Sequence, residues 1–253
     1  MRSFFGALTF LTILPLPKKI VGNEETLAKG LIHFPAVGLL IGLGTMVLDH
    51  ALFYVMPIQL VSFLMVIFLL GVSGALHLDG FADTLDGFLS ARPRERVLSI
   101  MKDSHVGAMG VAGIVCLILL KWISLTSVPV SARWATLLLM PLTGRTALLL
   151  MMCLLTYVRR EGGLATVFSE HGKIKWAGSA IGVTLILAIG FLGFRGKGVI
   201  IGASCIAGIC LFCLWAYRKI GGYTGDTLGA VCEMSELFVP VLVIVFSGGN
   251  NGI

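Results

Sequence analysis

Charge is scarce in this sequence: Asp, Glu, Lys and Arg make up 13% of its 253 residues, against roughly 25% in a soluble domain. A chain so poor in charge, with a mean hydropathy of +0.98, is not a soluble globular protein. Acids are scarcer than bases, 13 against 19, for a net charge of +6. A cysteine framework is also missing. Cys116, Cys153, Cys205, Cys210, Cys213 and Cys232 lie mostly inside apolar runs, and the one CxxC spacing, Cys210 to Cys213, sits within GASCIAGICLFCLWAY, where thiols pack rather than ligate or exchange. There is no P-loop, because no lysine follows the glycines of GGYTGDTLGA, residues 221 to 230. No small-residue cleavage site follows the apolar start MRSFFGALTFLTILPL, so it reads as an interfacial or re-entrant helix closed by Pro15 and Pro17.

Long apolar runs are what the chain has in abundance. Spans are expected at about residues 35 to 56, 59 to 76, 106 to 126, 177 to 194 and 199 to 216. The region 131 to 154 is apolar but holds Arg133, Pro141 and Arg145, which points to one broken span or two packed half-lengths. A last helix begins after Thr227. The expectation is an all-α polytopic membrane bundle of about seven segments, range six to eight, plus the N-terminal helix. The loops within 1 to 30, 78 to 105, 155 to 176 and 217 to 233 hold 14 of the 19 basic residues, which makes that side cytoplasmic. This distribution explains the positive charge by topology, and nucleic acid is not an expected partner.

One polar stretch stands out, HLDGFADTLDGF at 77 to 88. As a helix it would carry Asp79, Asp83 and Asp86 on one face, with no neutralising side chain between them. Like charges stacked beside a membrane span ask for a cation, and carboxylate oxygens suit Mg2+, with Mn2+ as a substitute. Gly80 and Gly87 leave room beside the first and third carboxylates, for a phosphate or for another helix. His77 fits a supporting role to the carboxylates. Asp103 and His105 add an ionisable pair at the same face, with interfacial solvation as the alternative. In GGYTGDTLGA, Tyr223, Thr224 and Asp226 form a candidate substrate-binding turn, with Asp226 a fourth metal carboxylate and Glu233 a weaker one. Arg145, in the triplet TGR, and Arg133 are charges in an apolar region that suit an anionic phosphate, although Arg133 also suits snorkelling. Arg92, Arg94 and Arg96, with Lys102, suit either a polyanionic substrate or plain topology. Asp49 and His50, near the end of the first span, read as structural.

HLDGFADTLDGF, KDSHVGAMG at 102 to 110, TGR at 143 to 145 and GYTGDTLGA at 222 to 230 together resemble the cobalamin synthase family, the adenosylcobinamide-GDP ribazoletransferases. FFGALTFLTILPLP and HFPAVGLLIG at 33 to 42 extend the likeness over nearly the whole chain. The resemblance implies a Mg2+-dependent enzyme forming one membrane-embedded catalytic domain, residues 1 to 253. It would join adenosylcobinamide-GDP to alpha-ribazole or alpha-ribazole 5'-phosphate and release GMP. It implies a catalytic set of Asp79, Asp83, Asp86, Asp103 and His105, with the ribose 5'-hydroxyl attacking and Asp83 or Asp86 taking its proton. A bacterial or archaeal cell membrane is the expected location, the inner one in a Gram-negative cell. Membrane lipid, a second copy and other cobalamin-pathway proteins are the candidate partners. Similarity to CDP-alcohol phosphotransferases is more distant, since no Ala-Arg pair follows Asp79 and Gly80. A lipid phosphotransferase and an ion-coupled transporter are the alternative functions.

Overall fold

The computed structural model describes residues 2–17, 24–159, 168 and 171–247. All its regular elements are helices: α1 (Arg2–Leu11), α2 (Glu24–Lys29), α3 (Phe34–Phe53), α4 (Ile58–Val72), α5 (Leu76–Phe88), α6 (Arg94–Ile100), α7 (Ala108–Ser127), α8 (Val130–Leu154), α9 (Gly172–Phe194), α10 (Gly196–Ile220) and α11 (Gly225–Ser247). A 3-10 turn, Gly30–His33, joins α2 to α3. Among the described residues six stretches are long and apolar enough to cross a membrane: Glu25–Phe53, α7, α8, α9, α10 and most of α11. The bent pair α4 and α5 makes a seventh if counted as one span. The chain is thus a multi-pass membrane protein, in agreement with the expected helical bundle.

The bundle is built around α8. From Ala132 to Met152 every residue but Trp134 is buried, and α3, α9 and α11 pack against it. Pro141 does not break this helix as its sequence suggested; α8 is one unit of 25 residues. The reason lies in α3, where glycine at position 38 lets the neighbouring backbone reach the proline. A Cβ at Gly38 would stand 2.6 Å from the Pro141 carbonyl oxygen, so protein covers the stretch where a proline weakens the helix.

Arg133 does not snorkel. It is 3% exposed and bonds Asp49 through both Nε and Nη2. Its Nη1 reaches Ser62 Oγ at 3.2 Å and the Leu125 carbonyl at 2.7 Å. One charge pair therefore ties together α3, α4, α7 and α8, because a buried guanidinium needs a carboxylate when water is out of reach.

The second expected span ends early. Gly74 and Ala75 take left-handed backbone angles, φ +59° and +56°, and α5 leaves at 90° to α4. At 13 residues α5 is too short to cross a bilayer, and it lies outside the six spanning helices. α1, with Ala7, Leu8 and Leu11 buried, is likewise too short and packs against α2 and the 3-10 turn.

Candidate active site

The aspartate stretch is helical, as its spacing predicts, and α5 owes its place to close contact with α11. A Cβ on Gly80 would lie 2.8 Å from both the Cα and the carbonyl oxygen of Asp226. On the facing helix a Cβ on Gly229 would lie 2.8 Å from the His77 carbonyl. Backbone touching backbone at this crossing sets Asp226 beside the aspartate row. Asp83 registers the crowding: burial, then Asp226, Asp79 and Asp86, push its carboxyl up to about 6, with Arg159 opposing.

Asp86 is committed differently. Its two oxygens accept the N–H groups of Gly107 at 2.7 Å and Gly110 at 2.8 Å. It thus caps α7 from another helix, satisfying amides that the first turn leaves unpaired. Asp226 accepts Arg159 Nη2 at 2.5 Å and the Thr224 hydroxyl at 3.3 Å. Arg159 also reaches the Met101 carbonyl at 3.3 Å. It is held there because residues 156 to 158 are clamped to the turn before α11. The Val158 N–H donates to the Tyr223 carbonyl at 3.1 Å, and the Tyr223 N–H to the Thr156 carbonyl at 2.9 Å. Sequence reasoning counted Arg159 only as loop charge. The available signal was the lack of a counterion for four carboxylates, but nothing in the sequence pairs Arg159 with Asp226.

The turn residues are spent on structure. The Thr224 N–H donates to the Thr227 hydroxyl at 2.8 Å and the Thr227 N–H to the Thr224 hydroxyl at 3.2 Å, a reciprocal cap that starts α11. Tyr223 is buried beneath them. Gly80 and Gly87 are both occupied by neighbours: a Cβ on Gly87 would lie 2.5 Å from Met101 Cγ.

Between α1, α5, α8 and the start of α11 lies a cavity of about 300 Å3. His77, Asp79 and Asp226 supply its polar edge, and Phe10, Leu148, Met152 and Phe168 part of its apolar wall. His77 is buried, and burial followed by the Arg145 charge lowers its value to about 3, so its ring is neutral. Arg92, Lys102, Asp103 and His105 are exposed and are not in this wall. Asp103 accepts His105 Nδ1 at 2.7 Å, and that bond holds its carboxyl below the usual range.

Arg145 also stands away from the wall. It is 1% exposed and bonds Glu236, while Lys121 Nζ lies 2.5 Å from Glu233 and 2.8 Å from Glu236. Two cations and two carboxylates thus close a neutral network among α7, α8 and α11. Among the described residues no three Asp, Glu, His or Cys side chains are gathered closely enough to hold an ion by themselves.

A family model described as cobalamin-5-phosphate synthase matches residues 3–245. The chain belongs to the cobalamin-5-phosphate synthase family. It is also similar to relatives named adenosylcobinamide-GDP ribazoletransferase. The one from Geotalea daltonii is 37% identical, with 98% of this chain and 99% of the relative covered. That from Acetivibrio thermocellus is 36% identical over 94% and 95%, and that from Clostridium novyi 34% over 98% of each. No solved structure matches the chain.

Proposed function

We propose that this chain joins adenosylcobinamide-GDP to alpha-ribazole or its 5'-phosphate, releasing GMP, on the face that carries α5 and the start of α11. The observation that carries the reading is the meeting of Asp79 and Asp226, with Asp83 beside them, across the α5 and α11 crossing, where Asp79 and Asp226 form the polar edge of an apolar cavity. Arg159 offsets these acids through its bond to Asp226. Such an excess of negative charge suits a substrate rich in phosphate only when a cation comes with it.

The donor set fits Mg2+, since every candidate ligand is a carboxylate oxygen. The absence of a three-carboxylate cage among the described residues is compatible with this, because Mg2+ is typically held by one or two carboxylates together with substrate phosphates. Asp79 and Asp226 are the carboxylates that would hold it. When bound, the ion supplies positive charge against the pyrophosphate. The chain's own groups do the rest. Arg159, bonded to the Asp226 carboxylate, offers a guanidinium to a phosphate oxygen. Asp83, half-buried and raised towards neutrality, takes the proton of the attacking hydroxyl, while Asp86 keeps α7 capped.

The product named by the family carries a 5-phosphate. When ribazole 5'-phosphate is the acceptor its 5'-oxygen is occupied, so the nucleophile is a ring hydroxyl of the ribose and not the 5'-hydroxyl expected from the sequence. A bond forms from that oxygen to the phosphorus on the cobinamide side, and the bond to GMP breaks. The positive charges of the loops on this face support a cytoplasmic orientation.

Purified protein in detergent with Mg2+ tests the reading. GMP release that needs both adenosylcobinamide-GDP and ribazole, or its 5'-phosphate, is the expected result. CMP release from a CDP-alcohol, with no GMP release, would replace it with lipid phosphotransfer.

A further inference from the structure

The cavity beside Asp79 and Asp226 has a chemical character that distinguishes between the parts of the two proposed substrates. At about 300 Å3 it is at the small end of ligand pockets, too small for a corrin ring. The part of its wall formed by Phe10, Leu148, Met152 and Phe168 presents hydrocarbon, aromatic rings and a thioether. A guanine laid against these four side chains would find no hydrogen-bond partner among them for its amide, amino group and ring nitrogens, at a cost of about 1–3 kcal/mol for each group left unpaired. A dimethylbenzimidazole base is flat and carries two methyl groups. Attached to ribose, it has a single free ring nitrogen, and so loses little in the same place.

The wall suits a flat ring in shape as well. Phe10 and Phe168 meet edge to face with centroids 5.4 Å apart, and Phe10 stacks on Phe34 behind it at 5.9 Å, so the aromatic side is braced from outside the cavity. Met152 is 3% and Leu148 2% exposed, on the fully packed α8. The apolar wall and the acids line one space.

We propose that this cavity is the seat of the dimethylbenzimidazole base of the ribazole acceptor, which rests on the transfer reaction proposed above. The base lies against Phe10, Leu148, Met152 and Phe168, and its ribose points to the polar edge, where Asp79, Asp226 and the neighbouring Asp83 receive the hydroxyl. The corrinoid nucleotide approaches from outside the cavity with its pyrophosphate at the same edge.

Equilibrium binding tests this apart from turnover. Wild-type protein, Met152→Trp, which fills the cavity, and Phe10→Leu, which weakens the aromatic side, are each titrated with alpha-ribazole, with adenosine and with adenosylcobinamide-GDP. The expected result is ribazole binding at least tenfold tighter than adenosine in the wild type. Met152→Trp loses at least tenfold in ribazole affinity, Phe10→Leu loses a smaller factor, and adenosylcobinamide-GDP binding stays within twofold in both, which also reports that they are folded. Unchanged ribazole binding in both variants, or loss confined to adenosylcobinamide-GDP, overturns the assignment while the transfer reaction stands. Wild-type ribazole binding sensitive to Met152→Trp without any GMP release keeps the assignment and refutes the transfer reaction. Absence of ribazole binding by the wild type overturns the assignment.

Discussion

Asp83 is the residue whose chemistry the fold alters in the most testable way. Its carboxyl, raised to about 6 against an ordinary 3.8, is disfavoured when ionised in the metal-free fold. The sign follows from proton uptake: between about pH 4 and 6 the folded chain binds a proton that the unfolded chain has released. Metal-free protein should therefore gain stability as pH falls through 6 towards 4, and thermal unfolding with EDTA present should show a larger rise in the wild type than in Asp83→Asn. Turnover with Mg2+ bound should show an acid limb as the proton acceptor fills, lying below pH 6 because the ion's charge offsets the neighbouring carboxylates, and absent from the residual activity of Asp83→Asn. Asp86 should behave otherwise. Asp86→Ala removes two amide partners from α7 and should cost about 1–2 kcal/mol of stability, measured by denaturant or thermal unfolding. Asp79→Ala should leave stability nearly unchanged. The row of three aspartates is thus readable from spacing, but the different tasks of its members are not. The amides that occupy Asp86 come from residues 21 and 24 positions later, and Arg159 reaches Asp226 only because a short clamp at Tyr157 and Tyr223 brings two distant loops together.

At the scale of the element, the site depends on how closely α5 lies on α11. Gly80→Val would force branched carbon against the Asp226 backbone, where even a Cβ would stand at 2.8 Å. It should cost about 1–3 kcal/mol and abolish turnover with every aspartate still present. Restored turnover in Gly80→Val would mean that the crossing does not position the acids. The network on α7, α8 and α11 gives a second test. Lys121→Met leaves Glu233 and Glu236 sharing Arg145 in a buried place and should destabilise by about 3–5 kcal/mol. Adding Glu233→Gln should restore much of that loss, as thermal unfolding of the single and double variants would show. Helix positions were legible because apolar runs of spanning length have few other meanings. The turn at Gly74 and Ala75 was not, since the run reads straight through it, and the unbroken α8 was not, since Pro141 looks like an interruption until Gly38 is placed against it. Arg133 and Arg145 were recognisable as expensive charges, but their partners Asp49 and Glu236 lie 84 and 91 residues away.

For the molecule as a whole, the winding of the six long helices and the bent pair puts residues 89 to 107, 155 to 159 and 221 to 225 at one face, with 54 to 57, 128 to 129 and 195 at the other. The basic loops gather on the first face, so thiol labelling in a cysteine-free background should find Ser104→Cys reactive from the cytoplasm and Val55→Cys from outside; the reverse pattern would overturn the orientation. On the expected orientation the proposed chemistry belongs to the cytoplasmic face, and it lies where α5 is turned across the end of the bundle and α11 begins. The aspartates of these two helices are the centre of that account. Its most direct test is Mg2+-dependent GMP release from adenosylcobinamide-GDP and ribazole by the wild type, Asp79→Asn and Asp226→Asn, with folding checked by thermal unfolding. Loss of at least a hundredfold in both folded variants is the predicted result, and full activity in either would contradict it.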